Sequence, residues 1–451
     1  MKSFKTLFGM MFVALMAASC TNDVNDVLAP EAPQKGYPFE ATIAPKTFDA
    51  TTRTALVEDT ENCTISSTWQ EGDMIRIDYM KSATAGTSVD AMVTKVATDG
   101  SATIKATFID EPYTGVENNA DLSYPAGAVH ITNQDGTLSA DRDLRYGPAK
   151  LKVDNGKITF DGMPSLDAEG SIIKFTMKDL GETPNAISVS KLVISSKDYW
   201  GEGDELTIKV TPTEATDVLY VTIPVQDIGS EHTFWFEATA SDGTPYIAKA
   251  TGTLELGMYY QTTLKMATVG NVIGSDGKFY KDAAAAGTAA EAMIAYLGNE
   301  ATDAPHGLAI ALEMASKVSV SWDNSGENNG GKTAAEIVDA WANFHEINGD
   351  ATGWRLPSAY DWQRMFIGCG STSTYVESLT SNNSGMNFSN GNNFISLWNA
   401  ATGSEFQSDD YWSSTEYGAN LAWVVILDSS TATVYVHGKG NDDRVLACLA
   451  F

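Results

Sequence analysis

Short runs in which apolar and polar side chains alternate strictly, each broken by Gly, Pro, Asn or Asp, dominate the first two-thirds of this sequence. In Asp73–Tyr79 the side chains of Ile75, Ile77 and Tyr79 fall on one face of an extended chain. Leu206, Ile208 and Val210 do the same in a second run, and Leu219, Val221, Ile223 and Val225 in a third. Successive side chains of a strand point to opposite faces, so this period marks antiparallel strands with one buried face. No helix-period pattern appears before about residue 282. The fold class expected is mainly β, with two antiparallel β-sandwiches divided near residues 150–165. Gly147-Pro148 and Asp154-Asn155-Gly156 supply turns there.

The last third changes character. Asp282–Leu297 is Ala-rich and reads as a helix, as does Lys332–Phe344. Ser358–Ile367 reads as a third, with Ser358 as N-cap and Asp361 completing a capping box. Trp322, Trp341, Trp354, Trp362, Trp398, Trp412 and Trp423 all lie in this part, where rings of that size most often fill core. An Asn/Ser/Gly-rich loop is expected over Ser381–Asn393. A hairpin then runs from Trp423–Leu427 through Asp428-Ser429-Ser430 into Thr433–Val436, followed by a strand over Arg444–Phe451. This is an α+β module unlike what precedes it.

The chain opens with Lys2 and Lys5, an apolar run from Leu7 to Ala18, and Ala17-Ala18-Ser19-Cys20. Such a segment is an export signal, too short to span a bilayer comfortably. A cysteine directly after small residues resembles a bacterial lipoprotein signal, which implies acylation at Cys20; the alternative is a plain secretion signal. Residues 21 to about 38 are polar and Ala/Pro-rich, with little to bury. About 430 residues remain after the signal, enough for about three domains. The 58 acidic against 29 basic residues argue against nucleic acid, whose phosphates need clustered Lys and Arg, so no nucleic-acid partner is expected. They also disfavour docking on anionic lipid, and no later run is long and apolar enough to span a bilayer. Membrane contact is therefore expected only through the lipid. Cys63, Cys369 and Cys448 form no CxxC pair; either Cys369 and Cys448 bridge in an oxidising compartment or all three are separate thiols. The five histidines show no metal-type spacing and read as ordinary surface or packed residues.

Thr52-Arg53-Thr54-Ala55-Leu56 and Ser67-Thr68-Trp69-Gln70-Glu71-Gly72-Asp73-Met74-Ile75-Arg76-Ile77 resemble the start of fimbrillin-type (type V) pilins of Gram-negative anaerobes. Gly257–Lys265 looks like the closing strand of their second domain. That resemblance implies two transthyretin-like sandwiches over roughly residues 38–268. Gly353-Trp354-Arg355-Leu356-Pro357, Tyr411–Thr415 and Arg444–Phe451 are similar to C-type-lectin-like modules of bacterial surface proteins. The organisation expected is a signal over 1–20, a tether or propeptide over 21–53, sandwiches over 54–155 and 156–268, and a lectin-like adhesive module over 269–451.

The resemblance further implies that the lipoprotein is cut after a basic residue, losing its first strand. The groove left open accepts an extended segment from a neighbouring pilin. Arg53 is the first arginine of the chain, so Arg53–Thr54 is the nominated bond. With a whole module after residue 268, the chain is expected at the tip of a fimbrium on the cell surface, binding a host or bacterial glycan or protein. Trp322, Asp323, Asn324, Asn387, Asn390 and Asn392 are the ligand-binding candidates. Their oxygens could hold a structural calcium. The spacing matches no EF-hand, however, and the calcium tripeptides of sugar-binding lectins are absent, so neither cofactor nor metal is expected. The enzyme that makes formylglycine shares the lectin-like architecture and uses closely spaced cysteines, whereas Cys369 and Cys448 stand far apart. No nucleophile elbow, Walker loop or dinucleotide fingerprint is present, so catalysis is not expected. Two other readings stay open: an outer-membrane lipoprotein capturing a ligand without polymerising, and the uncleaved anchor subunit of the same pili.

Overall fold

The computed structural model describes residues 36–46, 57–59, 64–116, 119–126, 131–225, 229–298, 305–348, 353–428 and 431–451. Cys20, Arg53, Thr54 and Cys63 lie outside them. The fold is mainly β.

The expected alternation is realised as burial. Along Met74–Met80 the inward residues are Ile75, Ile77 and Tyr79, in a nine-stranded sheet. Its strand order is 151–154, 157–160, 37–43, 102–108, 86–96, 74–80, 120–124, 145–149 and 167–168. Inward side chains from distant strands, among them Phe39, Tyr79, Phe108, Leu122 and Phe160, share one core. The sheet therefore rolls over on itself. It runs on to Ala168, past the division expected at 155. A hairpin cannot close its apolar face alone, and Ile158 and Phe160 complete this one.

A three-stranded sheet (218–224, 170–179, 259–266) then faces a five-stranded one (245–253, 231–240, 189–201, 204–210, 133–134). Leu206, Ile208, Val210, Leu219, Val221, Ile223 and Val225 all lie in the core between them. The short strand Asn133–Gln134 comes from the chain of the first unit and pairs in parallel with Lys209 and Val210. Gln134 holds both sides of the Thr222 peptide, accepting from its N–H at 3.0 Å and donating to its carbonyl at 2.8 Å.

The C-terminal part combines a six-stranded sheet, a four-stranded sheet and short helices around one core. Trp362, Trp398, Trp412 and Trp423 are buried in it, and Trp322, Trp341 and Trp354 pack against it. The helices Ala334–Ala342 and Ala359–Gly368 both begin with a capping box, Thr333/Glu336 and Ser358/Asp361. The expected hairpin forms with Val425 opposite Val434. Cys369 and Cys448 are separate buried thiols.

Two expectations fail here. The helix over Asp282–Leu297 is a single turn, Ala283–Ala286, stopped by Gly287 at φ 62°. Ala290–Leu297 is instead a strand inside the six-stranded sheet, where Met293, Ile294 and Ala295 are wholly buried. Tertiary burial on both faces overrides the helical propensity of alanine. The loop expected over Ser381–Asn393 holds a strand, Met386–Phe388, and the start of a helix, Asn392–Thr402. Phe394, Ile395, Trp398 and Ala401 form its buried stripe.

The second unit and the C-terminal part share a cluster of Trp235, Ile247, Ile273, Ile294, Leu449 and Phe451. His306 stacks on Trp235 at 4.1 Å and meets Glu237 at 2.6 Å.

Helix Ala359–Gly368 ends directly against the strand Ala290–Leu297. A Cβ at Gly368 would sit 2.3 Å from the Ala295 carbonyl oxygen and 2.9 Å from the Tyr296 Cα. Neither backbone atom can rotate away. Gly368→Ala is expected to destabilise the C-terminal part by about 1–3 kcal/mol, read as a lowered unfolding transition in calorimetry.

Candidate functional site

The strand Tyr37–Ile43 turns its Phe39 and Ile43 side chains into the core and half-buries Tyr37 and Ala41. It lies inside the sheet, antiparallel to Ala102–Phe108 over seven residue pairs and parallel to Lys157–Phe160 through Phe39 and Ile158. Phe39 meets Phe108 and Phe160 at ring separations of 5.2 and 5.1 Å. Beyond it, the Ala44 N–H donates to Pro164 and the Ala44 carbonyl accepts from Trp69 Nε1 at 2.8 Å. This segment therefore occupies a slot in the first unit.

At the end of the slot lies Lys46, whose side chain is 2% exposed. Its ammonium sits 3.7 Å from the Tyr124 ring centroid and 4.3 Å from that of Trp69. It pairs with Asp143 at 3.1 Å and Asp73 at 3.7 Å. Asp143 also accepts from Ser67 and binds Arg145 at 2.8 Å. Tyr124 donates to Asp73 at 3.0 Å. Burial pushes the Lys46 ammonium down from its usual pKa, against the pull of both carboxylates. Burial alone would raise Asp143, but Lys46 and Arg145 outweigh it and hold the carboxyl below the ordinary range.

On the other side of residues 47–56, Glu58 is clamped to the second unit. It accepts from Lys174 at 2.7 Å, Tyr259 at 2.6 Å and Tyr220 at 2.6 Å. Burial raises its pKa, yet these three donors win and hold it low. The described chain is thus fixed before and after the nominated Arg53–Thr54 bond. Sequence reasoning nominated neither Lys46 nor Glu58, because each is a single charge whose partners lie far along the chain.

The expected ligand residues occupy two separate places. Trp322 packs its ring under Lys439 at 4.6 Å and donates to the Ser413 carbonyl at 2.7 Å. Asp323 binds Ser325, which lowers its pKa, and Asn324 is exposed. Asn387 bonds Thr433 on the edge strand Met386–Phe388; exposed Asn390 adopts φ 58°, and Asn392 opens a helix. Ser413 and Asn387 belong to opposite edge strands of the four-stranded sheet, so the sheet separates the two sets.

Of the scattered histidines, His437 meets Asp443 at 2.9 Å through Nδ1 and Asp410 at 3.8 Å through Nε2. The three groups offer ligand atoms within 4.8 Å of one another. Nδ1 is engaged by Asp443 in a hydrogen bond, whereas Asp410 stands at ion-pair distance from Nε2.

No family model matches the chain, and no curated protein does. Solved structures that align with it include a fimbrial protein from Bacteroides ovatus, at 12% identity over 93% of this chain and 100% of that one, TM-score 0.28. A candidate cell adhesion protein from Bacteroides fragilis aligns at 14% identity over 50% of this chain and 91% of that one, TM-score 0.28. A minor pilin from Streptococcus agalactiae aligns at 10% identity over 51% and 95%, TM-score 0.21. Likenesses of this size establish neither family nor function.

The depressed Asp143 carboxyl sets a pH dependence. The folded chain binds this proton less readily than the unfolded chain, so the stabilisation is complete above the usual carboxylate range, about pH 4, and vanishes as pH falls through the folded value. Asp143→Asn is expected to lower stability at pH 7 by about 3–5 kcal/mol and to flatten the acid limb of a denaturant-measured stability curve.

Proposed function

We propose that this chain is a fimbrial subunit exported as a lipoprotein acylated on Cys20, cut between Arg53 and Thr54, and joined to a neighbour by strand addition. The observation that carries this reading is the position of Tyr37–Ile43. A strand inside the sheet, upstream of the first arginine of the chain, can leave after one cut without unthreading the fold. Its departure would strand the backbone groups of Ala102–Phe108 and uncover the pockets of Phe39 and Ile43. Such an edge demands a replacement strand.

In this reading the two β units are pilin domains and residues 269–451 are a lectin-like adhesive module at the fibre tip. Support comes from the last residues. Cys448–Ala450 pairs on both sides, with Leu308–Ile310 and with Trp354–Arg355, and Phe451 is 4% exposed. In this arrangement Cys448–Phe451 completes a sheet of its own part of the fold. Asn324, Asn387 and Asn390, all exposed, are the members of the expected set free to meet a glycan or protein.

The deciding experiment is the amino-terminal residue and intact mass of the protein taken from the native cell surface. Thr54 without lipid is expected. An acylated Cys20 would overturn processing and leave an anchor subunit or a capture lipoprotein. Arg53→Ala is expected to keep residues 36–46 on the chain and to abolish its incorporation into fibres, read by immunoblotting of sheared fractions.

A further inference from the structure

The slot vacated by the first strand contains a feature that a merely apolar groove lacks. Lys46 follows the last core residue of that strand, Ile43, by three positions, and upstream of Arg53 it would depart with the strand. What it leaves behind is a cage. Trp69 and Tyr124 form two walls, set edge to face at 5.2 Å. Asp73 and Asp143 supply carboxylates whose side chains are 11% and 2% exposed. Arg145 offsets one of these charges, bonding Asp143 Oδ1 at 2.8 Å. The other has lost its cation.

We propose that this cage is a lysine socket for the incoming strand: it recognises a primary ammonium carried three residues beyond the last inward-facing apolar side chain of a neighbouring subunit's extended segment. The assignment presupposes the strand exchange proposed above. Its occupant is defined by the resident one. Inward positions follow Tyr37, Phe39, Ala41 and Ile43 at every second residue, and the ammonium follows at the position of Lys46. Facing rings and buried carboxylates favour an ammonium, because ring quadrupole and carboxylate charge both attract it once water is excluded. A neutral side chain there would leave buried charge uncompensated, which is the costly case. The socket therefore sets register as well as affinity. A strand sliding by two residues keeps its apolar face inward but takes its lysine out of the cage.

The test uses the full chain cut at Arg53 with an arginine-specific protease, and synthetic peptides of residues 36–48 labelled with a fluorophore. The native peptide is expected to bind on the order of 100-fold more tightly than the Lys46→Met peptide, with the preference reduced in the Asp73→Asn chain. Asp73 is the more exposed carboxylate, so that variant leaves the Asp143–Arg145 pair in place. Equal affinity of the native and Lys46→Met peptides would overturn the socket while leaving strand exchange intact. Failure of every peptide to bind a cut chain that circular dichroism shows to be folded would overturn strand exchange itself, and the socket with it.

Discussion

Backbone pairing between Tyr37–Ile43 and Ala102–Phe108 holds the first unit closed. A strand inside a sheet satisfies donors and acceptors on two neighbours at once, and here it also supplies Phe39 and Ile43 to the core. Everything downstream assumes that closure. The strands on either side of it and the aromatic walls beside Lys46 are arranged around a segment that belongs to the chain but lies upstream of Arg53.

Charge is used sparingly but at decisive positions. Most of the acidic excess lies on the surface, whereas Lys46, Asp143 and Arg145 are buried together and Glu58 is clamped by three donors. Buried ionic groups of this kind add little net stability over an apolar core, but they tolerate few alternative arrangements. Lys46 fastens the residues before the nominated bond to the first unit; Glu58 fastens those after it to the second. Glu58 follows Thr54 by four residues, so a cut at the nominated bond leaves the anchor to the second unit on the downstream piece.

The β-rich two-thirds was legible because period-two alternation in Ile75–Tyr79 and Leu219–Val225 has one physical cause, burial of a single face. The capping box at Ser358 was equally readable, since its chemistry is local. Legibility failed where burial is two-sided or partners are distant. Ala290–Leu297 is apolar on both faces, so its pattern does not distinguish a buried strand from a helix, and its alanines misled. Phe394, Ile395, Trp398 and Ala401 carried a helical stripe that the preceding asparagines and glycines masked. At the candidate site, the expectation that a first strand is removed came from resemblance. The cage around Lys46 did not, because Trp69, Tyr124 and Asp143 approach it only through the roll of the sheet. The ligand candidates of the C-terminal part divided between two edges of one sheet, a separation that sequence proximity could not convey.

The parallel pairing of Gly170–Asp179 with Tyr259–Met266 bears on how this molecule carries load. These two strands run side by side over eight residue pairs, from Ile172 opposite Tyr259 to Asp179 opposite Met266. The chain from the first unit enters the pair at Gly170, and the chain to the C-terminal part leaves it at Met266, at the opposite end. Tension applied between the two ends of the molecule therefore shears this ladder along its length. All of its hydrogen bonds share the force, and none is opened alone as it would be in a peeled hairpin. A chain pulled from its far end would resist as a clamp, not as a zipper.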